Sequence, residues 1–464
     1  MKNAIIAMLM LVTVTGCSLV PEYKQPEVAI PEAWKNGEQG TEAEIAPDWW
    51  KLFKSDELDR LMAEALENNL DLKASLARIE QSRAAARIAG APLMPSLDST
   101  VTFGGTETKL SAGPDNWVRR GSAGFTASYE VDLFGRNRAG VQAATANLLG
   151  SAYTYDALRL VVMSDVAQGY FTLLNLRERQ AIAQQNLDNL KEVLKVAQAR
   201  FDAGSTSAID VSRQKTELSI SEASLAALKN QTNAAENALA ILMGRAPQDL
   251  GLKARNLKRV HDPKVPLTQP LSILARRPDI RAAEQSLLAA NADIGAARAA
   301  FFPSLDIGGT ASVGLLSFSP QSAPVATTLS ILGTAAAPIF RGGALRGGVE
   351  QATARQLELT ENYRKAVLVS LQEAEDAIFA IATAKKRQSA FSNAVREARK
   401  TYELSRGLYE AGSVDYQNML DAERTLLSAE DSYATAKLEM LTAQVNLYRA
   451  LGGGWIDWES VAQR

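Results

Sequence analysis

Few residues in this chain could carry out chemistry, and their spacing argues against catalysis. There is one His and one Cys in 464 residues, so neither a structural zinc set nor a disulfide can be assembled from them. His261 lies in a proline-rich stretch and reads as a solvent or packing residue. Arg341-Gly342-Gly343-Ala344-Leu345-Arg346-Gly347-Gly348 is glycine-rich, but it lacks the Lys-Ser/Thr pair of a phosphate-binding loop. It falls where Phe134-Gly135-Arg136-Asn137-Arg138-Ala139-Gly140 falls earlier, after a strand pattern and before a helical one, which predicts a tight turn. Glu373 and Glu375 fall on different sides of one helix and read as solvated. No Ser-His-Asp, Cys-His or paired-carboxylate constellation is present, so an enzyme is a poor reading.

Cys17 is the exception. Met1-Lys2-Asn3 is a short basic start, and Ala4 to Val14 is apolar but too short to span a membrane. Val14-Thr15-Gly16-Cys17 then resembles the bacterial lipobox. This predicts a signal peptide over 1–16 and a covalent lipid, palmitate included, on Cys17, which tethers the chain to a bilayer without spanning it. Ser18 follows, where an Asp is the usual signal for inner-membrane retention. A net charge of −2 gives no large attraction to nucleic acid.

The elements that position everything else come in two copies. Phe201-Asp202-Ala203-Gly204-Ser205 returns as Tyr409-Glu410-Ala411-Gly412-Ser413, about 208 residues on. Pro95-Ser96-Leu97-Asp98 returns as Pro303-Ser304-Leu305-Asp306, and Asp71-Leu72-Lys73-Ala74 as Asp279-Ile280-Arg281-Ala282, in the same register. The shared spacing makes the chain two copies of one unit.

Residues 17–47 carry Pro21, Pro26, Pro31 and Pro47 and predict an extended arm. Repeat 1 spans 48–245, a linker 246–270, repeat 2 271–452 and a tail 453–464. Asp56 to Ala89 reads as one helix, with Ser55 as N-cap and Gly90 with Pro92 as its end. Strands are predicted at 96–106 and 122–134, then at 304–316 and 327–340. In 123–133 the odd positions run Ala, Phe, Ala, Tyr, Val, Leu and the even ones Gly, Thr, Ser, Glu, Asp. That alternation fits a lipid-facing barrel strand or an ordinary hairpin packed on a core. If these strands cross a membrane, four cannot close a barrel and open edges are not tolerated in lipid, so several chains must share one barrel.

Helical hairpins follow at 139–244 and 344–451 with coiled-coil spacing, as in Leu187, Leu190, Leu194, Ala197 and Phe201. Each long helix reaches roughly 100 Å and each return helix roughly 55 Å. A second short helix, about 278–300, can stack on a return helix as 56–89 does.

A lipobox, Pro21-Glu22-Tyr23 in a proline-rich arm, two halves each of helix, two strands and helical hairpin, Pro-Ser-Leu before a strand, and Arg200-Phe201-Asp202-Ala203-Gly204 together resemble the outer-membrane efflux protein family. The likeness is to its TolC/OprM-like group, in the lipoprotein branch of resistance-nodulation-division efflux systems. It covers essentially the whole mature chain. The resemblance implies a mainly α fold with a β-barrel part: a homotrimer whose 12-stranded transmembrane barrel continues into a long periplasmic α-helical barrel. It implies a passive outer-membrane duct in a tripartite pump, exporting drugs or other small molecules, with no cofactor. Its partners would be a periplasmic adaptor, an inner-membrane resistance-nodulation-division transporter and outer-membrane lipid.

By the same resemblance, Gly204, Ser205, Gly412 and Ser413 are adaptor-docking turns at a periplasmic gate. Asp210 and Tyr409 fall on gate-bond positions and Asp421 on an acidic ring, with Asn418 where some relatives carry Asp. Val414 stands where some relatives carry a bonding Arg, so Arg213 or Arg424 is the substitute. The Asp210/Asn418 difference suggests that one hairpin moves while the other stays. Other functions fit the same sequence: a duct for metal ions or for type I protein secretion, or a lipid-anchored periplasmic coiled-coil scaffold without a pore. The lipobox disfavours secretion, and one His with few Met gives no sign of a metal relay.

Overall fold

In a computed structural model of the chain, residues 18–36, 45–108, 116–247, 250–265, 270–318 and 325–453 are described. The signal peptide expected over 1–16 and the expected lipidation site Cys17 lie outside them. Repeat 1 contains α1 (Asp56–Asn68), α2 (Leu70–Gly90), β1 (Ser96–Thr108), β2 (Asn116–Val131), α3 (Arg136–Asp202) and α4 (Ala208–Leu242). Repeat 2 contains α5 (Ile273–Arg276), α6 (Pro278–Ala299), β3 (Ser304–Phe318), β4 (Val325–Ala336), α7 (Ala344–Glu410) and α8 (Tyr416–Ala450). The pairs α3/α7 and α4/α8 match in length, 67 and 35 residues.

The chain divides into two compact units. In the first, the strands form one antiparallel sheet in the order β1-β2-β3-β4. Its register sorts side chains by face. One face carries the rows Leu97–Ala127–Gly309–Ile331 and Val101–Ala123–Val313–Thr327; the other carries Asp98–Thr126–Thr310–Ser330 and Thr100–Gly124–Ser312–Thr328. On the apolar face Phe103 is 85% exposed and Ile331 83%, so this chain alone leaves it uncovered. The outer edges of β1 and β4 have no partner strand among the described residues. Gly124 is required in β2, because a Cβ there would meet Ala311 O at 2.7 Å.

Glycines make the turns that lead from the sheet into the long helices. Gly135 takes φ 75° before α3, and Gly342 and Gly343 take 56° and 87° before α7. In this unit the proline-rich arm lies extended along α6 and α7. Asn291 donates to Pro21 O at 2.6 Å, and Gln25 donates to the Tyr363 hydroxyl at 2.8 Å. Gly295 makes room for the arm: a Cβ there would meet Val20 Cα at 2.8 Å.

The second unit is built on aromatic and helix-face burial. Trp49 stacks on Tyr448 with centroids 5.0 Å apart, and Phe53 packs on Phe171 at the same distance. Ser55 accepts from the Leu58 N–H, and Asp56, Glu57 and Asp59 favour the positive helix end. Leu58, Leu61, Met62 and Ala65 of α1 are buried at helical spacing.

The helix read as continuous over 56–89 breaks at Asn69, whose ψ of 129° is extended. Its side chain does two jobs. Oδ1 accepts from the Asp71 and Leu72 N–H groups at 3.0 and 3.1 Å, restarting the helix, and Nδ2 donates to Leu242 O at 3.0 Å. Repeat 2 places Arg277 in the same role, donating to Ala450 O at 3.3 Å while paired with Asp279 at 2.7 Å and Glu373 at 2.6 Å. Beside each clamp is a left-handed glycine. A Cβ on Gly244 would meet Asn68 O at 2.4 Å, and one on Gly452 would meet Arg276 O at 2.3 Å. Each return helix therefore ends locked against the start of its own repeat.

Glu373 and Glu375 are not simply solvated. Glu375 accepts from the Lys35 N–H at 2.5 Å and from the Asn36 amide at 3.3 Å. The segment between the repeats is packed too: Leu250, Leu252 and Leu257 are buried, and Arg177 donates to Leu252 O and Ala254 O. His261 is exposed and donates its backbone N–H to Phe53 O.

Candidate functional site: the paired helical turns

Each hairpin turns through one helix-ending motif. At the first, Gly204 has φ 71°, its N–H bonds Phe201 O at 2.9 Å, and the Ser205 N–H bonds Arg200 O at 2.8 Å. At the second, Gly412 has φ 75°, its N–H bonds Tyr409 O at 2.9 Å, and the Ser413 N–H bonds Leu408 O at 2.8 Å. Glycine at the left-handed position satisfies two orphan carbonyls per turn. Among the described residues nothing beyond the chain neighbours lies within 4 Å of where a Cβ would stand on either glycine, so conformation, not crowding, selects the residue.

The helices restart differently. Ser207 caps α4, accepting from the Asp210 N–H at 3.3 Å, and Asp210 completes a capping box. The Asp210 carboxylate also accepts from the Thr206 hydroxyl at 2.8 Å and the Ser207 hydroxyl at 3.0 Å. Those hydroxyls, Thr206 foremost, hold its pKa below the usual carboxylate range. Asp415 caps α8, accepting from the Asn418 N–H at 3.1 Å. The two pairs differ: Ser at the cap with Asp three residues on in the first copy, Asp at the cap with Asn three residues on in the second.

Contacts between the two hairpins hold the turns together. Arg213 donates to Gln417 at 3.2 Å, and Gln417 donates to Asp421 at 2.9 Å. Arg424 pairs with Glu217. Arg200 lies over the Tyr409 ring, 4.5 Å from its centroid, and donates to Tyr409 O at 3.3 Å and Glu410 O at 3.4 Å. Tyr409 meets Tyr416 edge-on at 5.9 Å. Beneath them Tyr402, Tyr416, Met419 and Leu420 form a buried cluster.

The structure thus brings Arg213 and Asp421 into one chain of contacts and gives Arg424 a partner on the other hairpin. It does not bring Asp210 to Tyr409, because Asp210 spends its acceptors within its own turn. The Asn418 side chain makes no hydrogen bond among the described residues. Three participants escaped the sequence reading: Arg200, Glu217 and Gln417. Arg200 was visible only as a letter of a motif. Glu217 and Gln417 gain meaning only when the two hairpins are laid face to face.

Two repeats, a sheet with one apolar and one polar face, and capped helical hairpins define an outer-membrane channel of the efflux type. The chain belongs to the outer membrane efflux protein family, whose model matches residues 61–245 and 270–453. It is 36% identical to the pyoverdine export outer membrane protein OpmQ of Pseudomonas aeruginosa, over 95% of this chain and 94% of that protein. It is 33% identical to the toluene efflux pump outer membrane protein TtgI of Pseudomonas putida, over 98% and 99%. The solved outer-membrane channel OprN superposes with a TM-score of 0.86 at 27% identity, covering 95% of this chain and all of that one. The protein is an outer-membrane efflux channel, and its family and relatives are transport proteins.

Proposed function

We propose that the chain is the outer-membrane duct of a tripartite efflux pump for small organic molecules, closed at the paired turns around Gly204 and Gly412. The observation that carries the gate is the set of bonds joining the two hairpins, Arg213 to Gln417 to Asp421 and Arg424 to Glu217. These bonds are at least partly exposed and few, so a docking partner that favours separated hairpins can displace them. Asp421 and the open Asn418 face the entrance of the duct, where carboxylates favour cations.

Three copies close the barrel. Each contributes four strands, and the unpaired edges of β1 and β4 join neighbouring chains into 12. Lipid on Cys17 anchors each copy to the outer membrane. A periplasmic adaptor docks at Gly204, Ser205, Gly412 and Ser413, and an inner-membrane proton-driven transporter supplies the energy, since the chain carries no nucleotide-binding motif. The cargo named for the relatives, pyoverdine and toluene, supports a small-molecule cargo here.

Purified protein in planar bilayers tests the reading. Wild type gives heat-resistant trimers with small unitary currents. Arg424→Ala raises the open probability, and Asp421→Ala weakens block by multivalent cations. A monomer without conductance would sink the proposal. Deleting the gene raises accumulation of the exported compounds inside the cell, which identifies them.

A further inference from the structure

Between α3, α7 and α8 lies a cavity of about 250 Å³, lined by Asn186 and Asn189, by Tyr402 and Arg406, and by Glu423 and Glu430. Glu423 is 5% exposed, and among the described residues neither of its carboxylate oxygens has a hydrogen-bond partner. The buried Tyr416 hydroxyl is also without a partner. The three arginines around it among the described residues are engaged elsewhere: Arg406 with Glu410 at 2.9 Å, Arg399 with Glu430, and Arg424 with Glu217. A buried carboxylate stripped of water and left unpaired is costly, and it carries no benefit to packing.

We propose that this cavity is a binding site for a small organic cation bearing a guanidinium or ammonium group, with Glu423 as its anion. The chemistry selects that class. Glu423 offers two acceptors and a negative charge, which a guanidinium fork satisfies with two N–H donors. Tyr402 supplies an aromatic wall of the kind that attracts organic cations. The volume falls below the 300–1,000 Å³ or so of a drug-sized site, so the ligand is a fragment of a few heavy atoms, not the larger cargo of a pump. A hard metal ion is a poor occupant. It takes about six or more oxygen ligands, and among the described residues no group of three His, Cys, Asp or Glu side chains could hold one.

Binding here acts on the hairpins. The site touches α3 from the first hairpin and α7 and α8 from the second, so an occupant favours their packed arrangement. It is also tuned by pH. Burial, then the charge of Glu217 on α4, pushes the Glu423 carboxyl up to about 7, against the opposing Arg406 on α7. The other charged or titratable groups around it are Tyr402, Glu403 and Arg399 on α7 and Tyr416, Arg424 and Glu430 on α8; α3 presents only Gln185, Asn186 and Asn189 beside Ile182. A cation binds the ionised form, so affinity rises as pH passes upward through that value.

Thermal unfolding of the full chain in detergent tests this with n-butylguanidinium, its uncharged counterpart n-butylurea, and sodium chloride at matched ionic strength. The expected result is a melting temperature raised by several degrees by n-butylguanidinium at 10 mM and pH 8, by much less at pH 6, and by neither control. Glu423→Gln abolishes the shift, and Asn189→Leu, which fills the cavity but keeps the carboxylate, reduces it. Asp421→Asn retains the shift, which separates this site from the proposed gate. An equal shift in Glu423→Gln, an equal shift from the urea or the salt, or no shift in wild type at pH 8 overturns the proposal.

Discussion

The two turns share a backbone and differ in nearly every charged side chain below it. Laid in register, Arg213 of α4 faces the place of Asp421 in α8, Lys215 that of Glu423, and Glu217 that of Thr425, with Arg424 where the first copy has Thr216. Two identical helix starts packed face to face would set like charge against like. Divergence has made them complementary, so that Glu217 finds Arg424 and Arg213 reaches Asp421 through Gln417. The backbone of a duplicated unit is kept by glycine geometry, while its surface is free to become two halves of one lock. The Asp210/Asn418 difference belongs to the same pattern. The helix-start carboxylate has moved from the third helical position in the first copy to the cap in the second, and neither start has lost it.

The largest test of the shared backbone is at the clamps. Gly244→Ala and Gly452→Ala each drive a Cβ onto a carbonyl oxygen at a positive φ. Each should cost roughly 2–4 kcal/mol, and the two losses should be alike, as read by denaturant unfolding. Unequal losses would show that the halves are not equivalent where they look most so.

The charge divergence is tested next at Glu423, whose counterpart is Lys215. A carboxyl raised from 4.5 to about 7 destabilises the folded state above its unfolded pKa, and the penalty grows until pH passes about 7. Glu423→Gln removes it. The variant should therefore exceed wild type by about 3 kcal/mol at pH 8 and match it near pH 4, measured by unfolding across pH. Equal stability at both pH values would mean that the buried charge has a partner.

A smaller effect is expected at the cross-hairpin pair. Glu217→Ala or Arg424→Ala should cost about 1 kcal/mol or less and raise channel open probability several-fold, because the pair is partly exposed. The double reversal Glu217→Arg with Arg424→Glu should restore closure if complementarity, not identity, is what matters. A loss of similar size is expected at the caps, where Ser207→Ala and Asp415→Ala should each cost about 1 kcal/mol. The Asp210 contribution is present above the ordinary aspartate pKa and fades as pH falls through its lowered folded value, so acid should loosen the first restart.

How much of this was legible in the sequence depended on whether a signal was local. The repeat offset, the alternating strands and the glycine turns rest on short patterns and could be read directly. The break at Asn69 was not read, because the string around it contains neither Gly nor Pro and its one local mark is the Asn68-Asn69 pair, residues that are poor inside helices and good at their caps. A clue did exist one repeat away: Pro278 stands in the register of Leu70 and cannot follow an unbroken helix. The partners of Glu373 and Glu375, about 100 and about 340 residues away, had no local trace. Glu423 was invisible for the same reason. Nothing in Asp-Ala-Glu-Arg says which of its charges faces inward, and burial is decided by helices from both hairpins.

The glycine clamps also make each return helix a lever. Met243–Gly244 and Leu451–Gly452 fix one end, and the turn lies 35 residues away, or about 52 Å. A swing of only about 5° at that pivot carries the turn sideways by about 4–5 Å over such an arm. That exceeds the reach of any hydrogen bond joining the hairpins, so the bonds at the turns must break together. A joint too tight to admit a methyl group thus lets the long arm multiply any small rotation at its base.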